Sequence, residues 1–167
     1  MKGPLIYRAV LMLAKTIFKV FYRHKVYGLE HYFSGSAILA ANHVSFFDPI
    51  AVSISCPEEV SFMARQSLFR SFFGKIISAL NAYPITKGAS NLAVMKKVCS
   101  LLKEGKKVIL FPEGTRSINN QIREIKPGIG GMLSMSQTAI IPVYVDGTYK
   151  IWGKSRRLPK IFGKIKV

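Results

Sequence analysis

Two short segments of this 167-residue chain carry side chains that can move a proton and hold an anion. The first is Asn42-His43-Val44-Ser45-Phe46-Phe47-Asp48. A neutral imidazole takes up a proton near neutral pH, and a carboxylate beside it fixes its tautomer and stabilises the imidazolium. The offset between His43 and Asp48 aligns them on neither a straight helix nor a straight strand. They meet only where the chain folds back. Asp48-Pro49 predicts such a turn, with Asp as a helix N-cap and Pro at the first helical position. Each residue also has a plainer reading: Asp48 as a cap alone, His43 as a strand-end histidine. The other histidines, His24 and His31, have no suggestive acid nearby apart from Glu30.

The second segment is Phe111-Pro112-Glu113-Gly114-Thr115-Arg116-Ser117. Gly114 lets backbone approach a ligand closely. Arg116 offers a planar fork that matches phosphate oxygens two at a time. Its plainer reading is a surface turn, because Pro, Gly, Thr and Ser are turn residues. Shortly after it comes Ile125-Lys126-Pro127-Gly128, ahead of a helical stretch. A lysine at a helix N-terminus can bind an anion with the free amides there, although taken alone a solvated loop lysine is the favoured reading.

The elements that must hold these segments alternate between strand and helix. Ser36–Ala41, Val60–Ala64, Ala82–Thr86, Lys107–Phe111 and Ala139–Val145 read as strands, the first and the last as buried ones. Pro49 to about Cys56, Leu68–Leu80, Asn91–Glu104 (with Gly105 as C-cap) and Gly128–Gln137 read as helices. This alternation predicts a single layered α/β domain with a mostly parallel or mixed sheet flanked by helices. His43 and the 111–117 segment each follow a strand, and ligands gather at the carboxyl ends of strands in open α/β sheets.

Residues 1–23 are expected to form a separate amphipathic segment before a domain over residues 24–167. On a helix through residues 4–23, Arg8, Lys15, Lys19 and Arg23 form one stripe and apolar residues cover much of the rest. That pattern suits a helix lying in a headgroup region, or one packed on the domain with its lysines snorkelling. It is too interrupted by charge to span a bilayer, and it lacks a signal-peptide cleavage pattern.

The formal net charge of +17 bears on partners rather than fold. An anionic membrane, an acidic protein or nucleic acid would each complement it. The tail from Lys150 to Lys166 holds seven basic residues and no acid, with Trp152 and Phe162 among them, which makes it the best segment for a nucleic-acid rival. No RNP-like or zinc-finger pattern accompanies it, and the apolar N-terminal helix has no role there. The chain closes on Lys164-Ile165-Lys166-Val167, an alternating run that reads as a strand cut short. Cys56 and Cys99 stand far apart without a CxxC or Cys/His cluster, as two buried thiols would. No metal site is expected.

Taken in order, the segments resemble the lysophosphatidic acid acyltransferases, the 1-acyl-sn-glycerol-3-phosphate acyltransferases of phospholipid synthesis. Asn42, His43 and Asp48 match an Asn-His-x-x-x-x-Asp motif, residues 111–117 match Phe-Pro-Glu-Gly-Thr-Arg-Ser in full, and Ile140-Ile141-Pro142-Val143 matches an apolar run closing on Pro. The resemblance reaches to about Thr148. One departure lies at Tyr83-Pro84-Ile85-Thr86-Lys87, where the family carries arginine in the place of Lys87; the charge stays and the fork is lost.

The resemblance implies an enzyme that moves an acyl group from a thioester, acyl-CoA or acyl carrier protein, to the sn-2 hydroxyl of lysophosphatidic acid. It implies His43 as base, Asp48 as its support, and Arg116 with Lys87 and Lys126 at the acceptor phosphate. Glu113, Gly114 and Thr115 would shape that turn, and Asn42 and Pro142 would serve as structural positions. It implies no cofactor, no nucleic-acid partner, and a place on the cytoplasmic face of an anionic membrane without crossing it. A remodelling acyltransferase with another lysophospholipid acceptor fits the same residues.

Overall fold

The computed structural model describes residues 5–70, 72–86 and 91–167. Five strands, β1 (Ala37–Ala41), β2 (Val60–Arg65), β3 (Ala82–Ile85), β4 (Lys107–Leu110) and β5 (Ala139–Val143), form one sheet in the order β3-β2-β4-β1-β5. Every pairing is parallel. The interior strand β1 reads Ala-Ile-Leu-Ala-Ala and is apolar on both faces, as a parallel strand covered by helices on both sides requires. Prolines fall on the two edges, Pro84 in β3 and Pro142 in β5, where a missing N–H costs least.

Three helices cover one face: α1 (Leu5–Tyr22), α2 (Asp48–Ser55) and α3 (Phe72–Ala79). Tyr7, Leu11, Phe18 and Tyr22 of α1 join Ile50, Val52 and Ile54 of α2 against Leu39, Ala41, Phe62 and Ile109 of the sheet. The other face carries α4 (Asn91–Lys103) and α5 (Gly128–Ser136), where Val98, Leu101 and Leu102 pack on Ile38 and Val108. A short α6 (Thr148–Trp152) follows β5. Helix α4 ends as expected at Gly105, with a left-handed φ of 79° and bonds from Gly105 and Lys106 amides back to Leu102 and Leu101 carbonyls, the Schellman arrangement.

The structure corrects several expectations. Leu68–Leu80 is not one helix. Gln66–Arg70 forms a tight 3-10 turn before α3. The turn lies so close to the helix that a Cβ on Gly74 would stand 2.5 Å from the Phe69 backbone. Strand β5 is not buried, because it pairs with β1 alone and forms the edge. The Lys164–Val167 run does not continue the main sheet. Lys166 bridges Lys25 on one side and Asp146 on the other.

At the amino edge of the sheet, Lys107 is buried beside Glu58 at 3.0 Å, bonds the Gly35 carbonyl, and lies over the rings of Tyr32 and Phe33. A buried cation needs such company. Burial works to raise the Glu58 carboxyl, but hydrogen bonds from Lys107 and Tyr32 outweigh it and hold Glu58 below its usual range. Cys56 and Cys99 are free and buried. Helix α1 leaves its outer side open, with Leu5 at 83 % and Met12 at 70 % exposure. Among the described residues, no helix is long and apolar enough to cross a membrane.

Candidate active site

Strands β1 and β4 are neighbours, in register from Ala37↔Lys107 to Ala40↔Leu110. The chain leaves β1 toward α2 on one face and leaves β4 toward α5 on the other. Connections that diverge in this way open a crevice at the strands' carboxyl ends. His43 sits two residues past β1, and Phe111 directly past β4.

The loop after β1 folds back on itself around Asp48. The carboxylate is fully buried. Its Oδ2 accepts from His43 Nδ1 at 2.9 Å and from the Val44 and Ser45 amides, both at 2.7 Å, and its Oδ1 accepts from Thr148 Oγ1 at 2.6 Å. Asp48 therefore does not cap α2. The capping position is Phe47, without a side-chain cap bond, and Pro49 follows in the first turn. The carboxylate points backwards into its own loop, and the expected fold-back is achieved by those two amides.

A carboxylate can only accept, so the proton of a neutral His43 lies on Nδ1 and Nε2 carries a free lone pair. The ring stacks on Phe111, centroids 4.0 Å apart at 20°, and its side chain keeps 19 % of its surface exposed. Asn42 fixes the strand end behind it: its side-chain amide donates to the Val145 carbonyl at 3.0 Å and accepts from the Val145 amide at 2.7 Å. This side chain prolongs the β1–β5 pairing on which Pro142 lies in register with Ala40.

The 111–117 turn clamps the His43 backbone from both ends. Glu113 Oε1 accepts the His43 amide at 2.6 Å, and the Ser117 amide donates to the His43 carbonyl at 2.7 Å. Glu113 Oε2 accepts the Arg123 amide at 3.0 Å. Both oxygens of this buried carboxylate thus face backbone amides. Gly114 has φ +67°, and a Cβ there would stand 2.9 Å from Lys126 Cε and Nζ, so the lysine lies directly over the turn. Thr115 is exposed on the same turn.

Arg116 lies face-on to Phe46, its guanidinium carbon 3.5 Å from the ring centroid. Its Nη1 is buried with no hydrogen-bond partner among the described residues. Burial lowers the Arg116 pKa, the Asp48 charge opposes that, and Arg65 at the end of β2 adds to it. A cation desolvated and left with an open donor is matched to an anion. Lys87 lies outside the described residues.

His43, Asp48, Asn42, Glu113, Gly114, Arg116 and Lys126 thus lie together at this end of the sheet. Sequence reasoning missed Phe46, Arg65 and Thr148. The Asp146-Gly147-Thr148 turn was the one visible sign of the last, and nothing in it indicates that Thr148 reaches Asp48. An imidazole with a free lone pair, backed by a buried carboxylate and accompanied by a guanidinium whose Nη1 has no partner among the described residues, defines a class: α/β domains equipped to take a proton beside an anion.

Comparison with known proteins narrows the class. The family model described as Acyltransferase matches residues 23–146, and the chain belongs to that family. Similar relatives include the chloroplastic 1-acyl-sn-glycerol-3-phosphate acyltransferase LPAT1 of Arabidopsis thaliana, 30 % identical over 78 % of this chain and 38 % of its own length. The 1-acyl-sn-glycerol-3-phosphate acyltransferase of Bacillus subtilis is 27 % identical over 74 % of this chain and 62 % of its own. The chain thus matches between 38 % and 62 % of the length of these two relatives. The crystal structure of the 1-acyl-sn-glycerophosphate (LPA) acyltransferase PlsC from Thermotoga maritima shares the fold, with TM-score 0.76 at 24 % identity over 96 % of this chain and 65 % of that one.

Proposed function

We propose that this chain transfers a fatty acyl group from a thioester to the sn-2 hydroxyl of 1-acyl-glycerol-3-phosphate, making phosphatidic acid. The observation that carries this reading is the unpaired, buried Nη1 of Arg116 next to the His43–Asp48 pair. It supplies a phosphate contact beside a general base, and the names of the relatives agree with it.

His43 Nε2 takes the hydroxyl proton as the acceptor oxygen attacks the thioester carbon. A C–O bond forms and the C–S bond breaks. The proton then passes from the imidazolium to the leaving thiolate. Asp48 holds the ring and offsets its transient charge. Arg116, Lys126 and Lys87 neutralise the acceptor phosphate. Glu113, Gly114 and Thr115 form the turn that presents Arg116. A thioester already carries a good leaving group, so the step calls on no resident metal or cofactor; acyl-CoA or acyl carrier protein is a co-substrate. The open apolar side of α1 lies in the cytoplasmic face of a bilayer, where the lipid acceptor resides.

The test is a donor and acceptor panel with the protein in mixed micelles. Lysophosphatidic acid should be acylated in preference to lysophosphatidylcholine, and His43→Ala should be inactive with an unchanged circular dichroism spectrum. Equal use of lysophosphatidylcholine would shift the assignment to phospholipid remodelling. Turnover by His43→Ala at the native rate would remove the catalytic reading altogether.

A further inference from the structure

Thr148 lies one hundred residues from Asp48 in sequence and beyond the residues matched by the family model. Yet its hydroxyl donates to Asp48 Oδ1 at 2.6 Å, and both side chains are fully buried. The two oxygens of that carboxylate are unequally held. Oδ2 receives three donors, from His43, Val44 and Ser45. Oδ1 receives Thr148. A carboxylate turns readily about its last torsion, and the Thr148 donor on the far oxygen sets the plane in which Oδ2 faces the imidazole.

The chain goes to some length to bring that hydroxyl there. Gly147 has φ +86°, and a Cβ on it would stand 1.9 Å from the Lys164 carbonyl oxygen. Glycine alone fits this passage. Asp146 and Lys166 exchange both backbone hydrogen bonds, at 2.9 and 3.1 Å. The C-terminal run therefore presses the Gly147–Thr148 turn against the buried carboxylate. The backbone of the same segment also grips the loop from its other side, because Ser45 Oγ donates to the Trp152 carbonyl at 2.8 Å.

We propose that Thr148 is a positioning residue for acyl transfer, the third member of a His43–Asp48–Thr148 array, and that residues 146–166 hold it in place. This rests on His43 being the base. The hydroxyl touches no substrate; it fixes the carboxylate that fixes the ring.

The test compares Thr148→Val, which keeps the shape and removes the hydroxyl, with Thr148→Ser, which keeps the hydroxyl and removes a methyl. Thr148→Val should lower kcat roughly tenfold or more, as small misplacements of catalytic groups do, while the KM for acceptor and for donor stay within about twofold. Thr148→Ser should recover most of kcat even where its melting temperature is the lower of the two. In an Asp48→Asn background, Thr148→Val should cost much less, because the two residues act as a unit. A packing role predicts the reverse order, with Val active and Ser impaired, and that order would overturn the proposal, as would a native kcat in Thr148→Val. If His43→Ala is inactive while Thr148→Val is native, only this inference fails; if His43→Ala is active, the underlying reading fails as well.

Discussion

Phe46 and Arg116 come from loops that follow different strands, and they meet face to face with the guanidinium carbon 3.5 Å above the ring. Phe46 in turn packs on Trp152, centroids 4.9 Å apart. The aromatic platform fixes the plane of the fork while leaving Nη1 unpaired. A desolvated cation–π contact is worth about 0.5–2 kcal/mol. Phe46→Leu should therefore raise the KM for lysophosphatidic acid by roughly 2- to 30-fold, with donor KM little changed, and Phe46→Tyr should restore it. Steady-state kinetics with each substrate varied in turn decide this. Arg116→Lys should show a larger defect in the same constant, because charge remains but the fork is lost.

Asp48→Asn tests the turn as well as the chemistry. Asparagine keeps the size of the side chain but turns one acceptor into a donor. Whichever way the amide lies, it sets N–H against either the two loop amides or the Thr148 hydroxyl, and Thr148 alone can reverse its bond. The amide oxygen should therefore stay on Val44 and Ser45. We expect kcat to fall by about 100-fold or more, through loss of the imidazolium's partner. Loss of the charge-assisted bonds should lower stability by about 1–3 kcal/mol. Urea unfolding beside initial-rate assays separates the two effects; full activity in Asp48→Asn would refute the pairing.

Glu113→Gln should impair stability and activity together. The carboxylate accepts from the His43 and Arg123 amides. A glutamine faces one of them with its own N–H groups, leaving a buried amide unpaired at a cost of about 1–3 kcal/mol. The loss should appear as a lower midpoint in urea with an unchanged m-value. If Glu113 instead contacted the acceptor, acceptor KM would move and the midpoint would not.

Membrane association should have two separable components. Helix α1 exposes Leu5, Ile6, Met12, Leu13 and Val20, and the basic tail adds exposed Leu158, Ile161 and Phe162. The two surfaces adjoin, because Phe21 of α1 stacks on Phe162 at 5.8 Å. Burial of apolar area survives salt, whereas attraction between exposed charges fades with the Debye length. Flotation should favour anionic over zwitterionic liposomes at low salt and retain some binding at high salt. Replacing the exposed Leu5, Ile6, Met12, Leu13 and Val20 by serine, which spares the buried side of α1, should remove the salt-resistant part, and neutralising Arg156, Arg157 and Lys160 should remove the anionic preference. Persistence of high-salt flotation in the serine variant would show that α1 is not the anchor.

Much of this arrangement was legible in the sequence because it is local. Strand β1 announces itself as an apolar run, Gly105 as a helix stop, and His43 with Asp48 as a pair that needs a turn. The parts that escaped reading depend on tertiary structure. That β5 is an edge follows from sheet order, which no local pattern encodes, although Pro142 was a hint. The break before α3 follows from close packing at Gly74. The Asp48–Thr148 bond joins residues one hundred positions apart, and Phe46 reads as one more apolar residue until Arg116 lies over it.

The position of β1 between two later strands has a consequence for synthesis. Its partners are β4, beginning at Lys107, and β5, beginning at Ala139. A chain emerging from the ribosome must carry the apolar Ala37–Ala41 segment through some seventy further residues before the first of these exists. During that interval both edges of a sticky strand stand open, a state prone to wrong pairing. At about 5–20 residues per second of synthesis the exposure lasts several seconds, long enough for a holding chaperone or the bilayer surface to shelter the strand. Because the base follows β1 directly, it has no carboxyl-edge crevice to sit in until β4 inserts beside it.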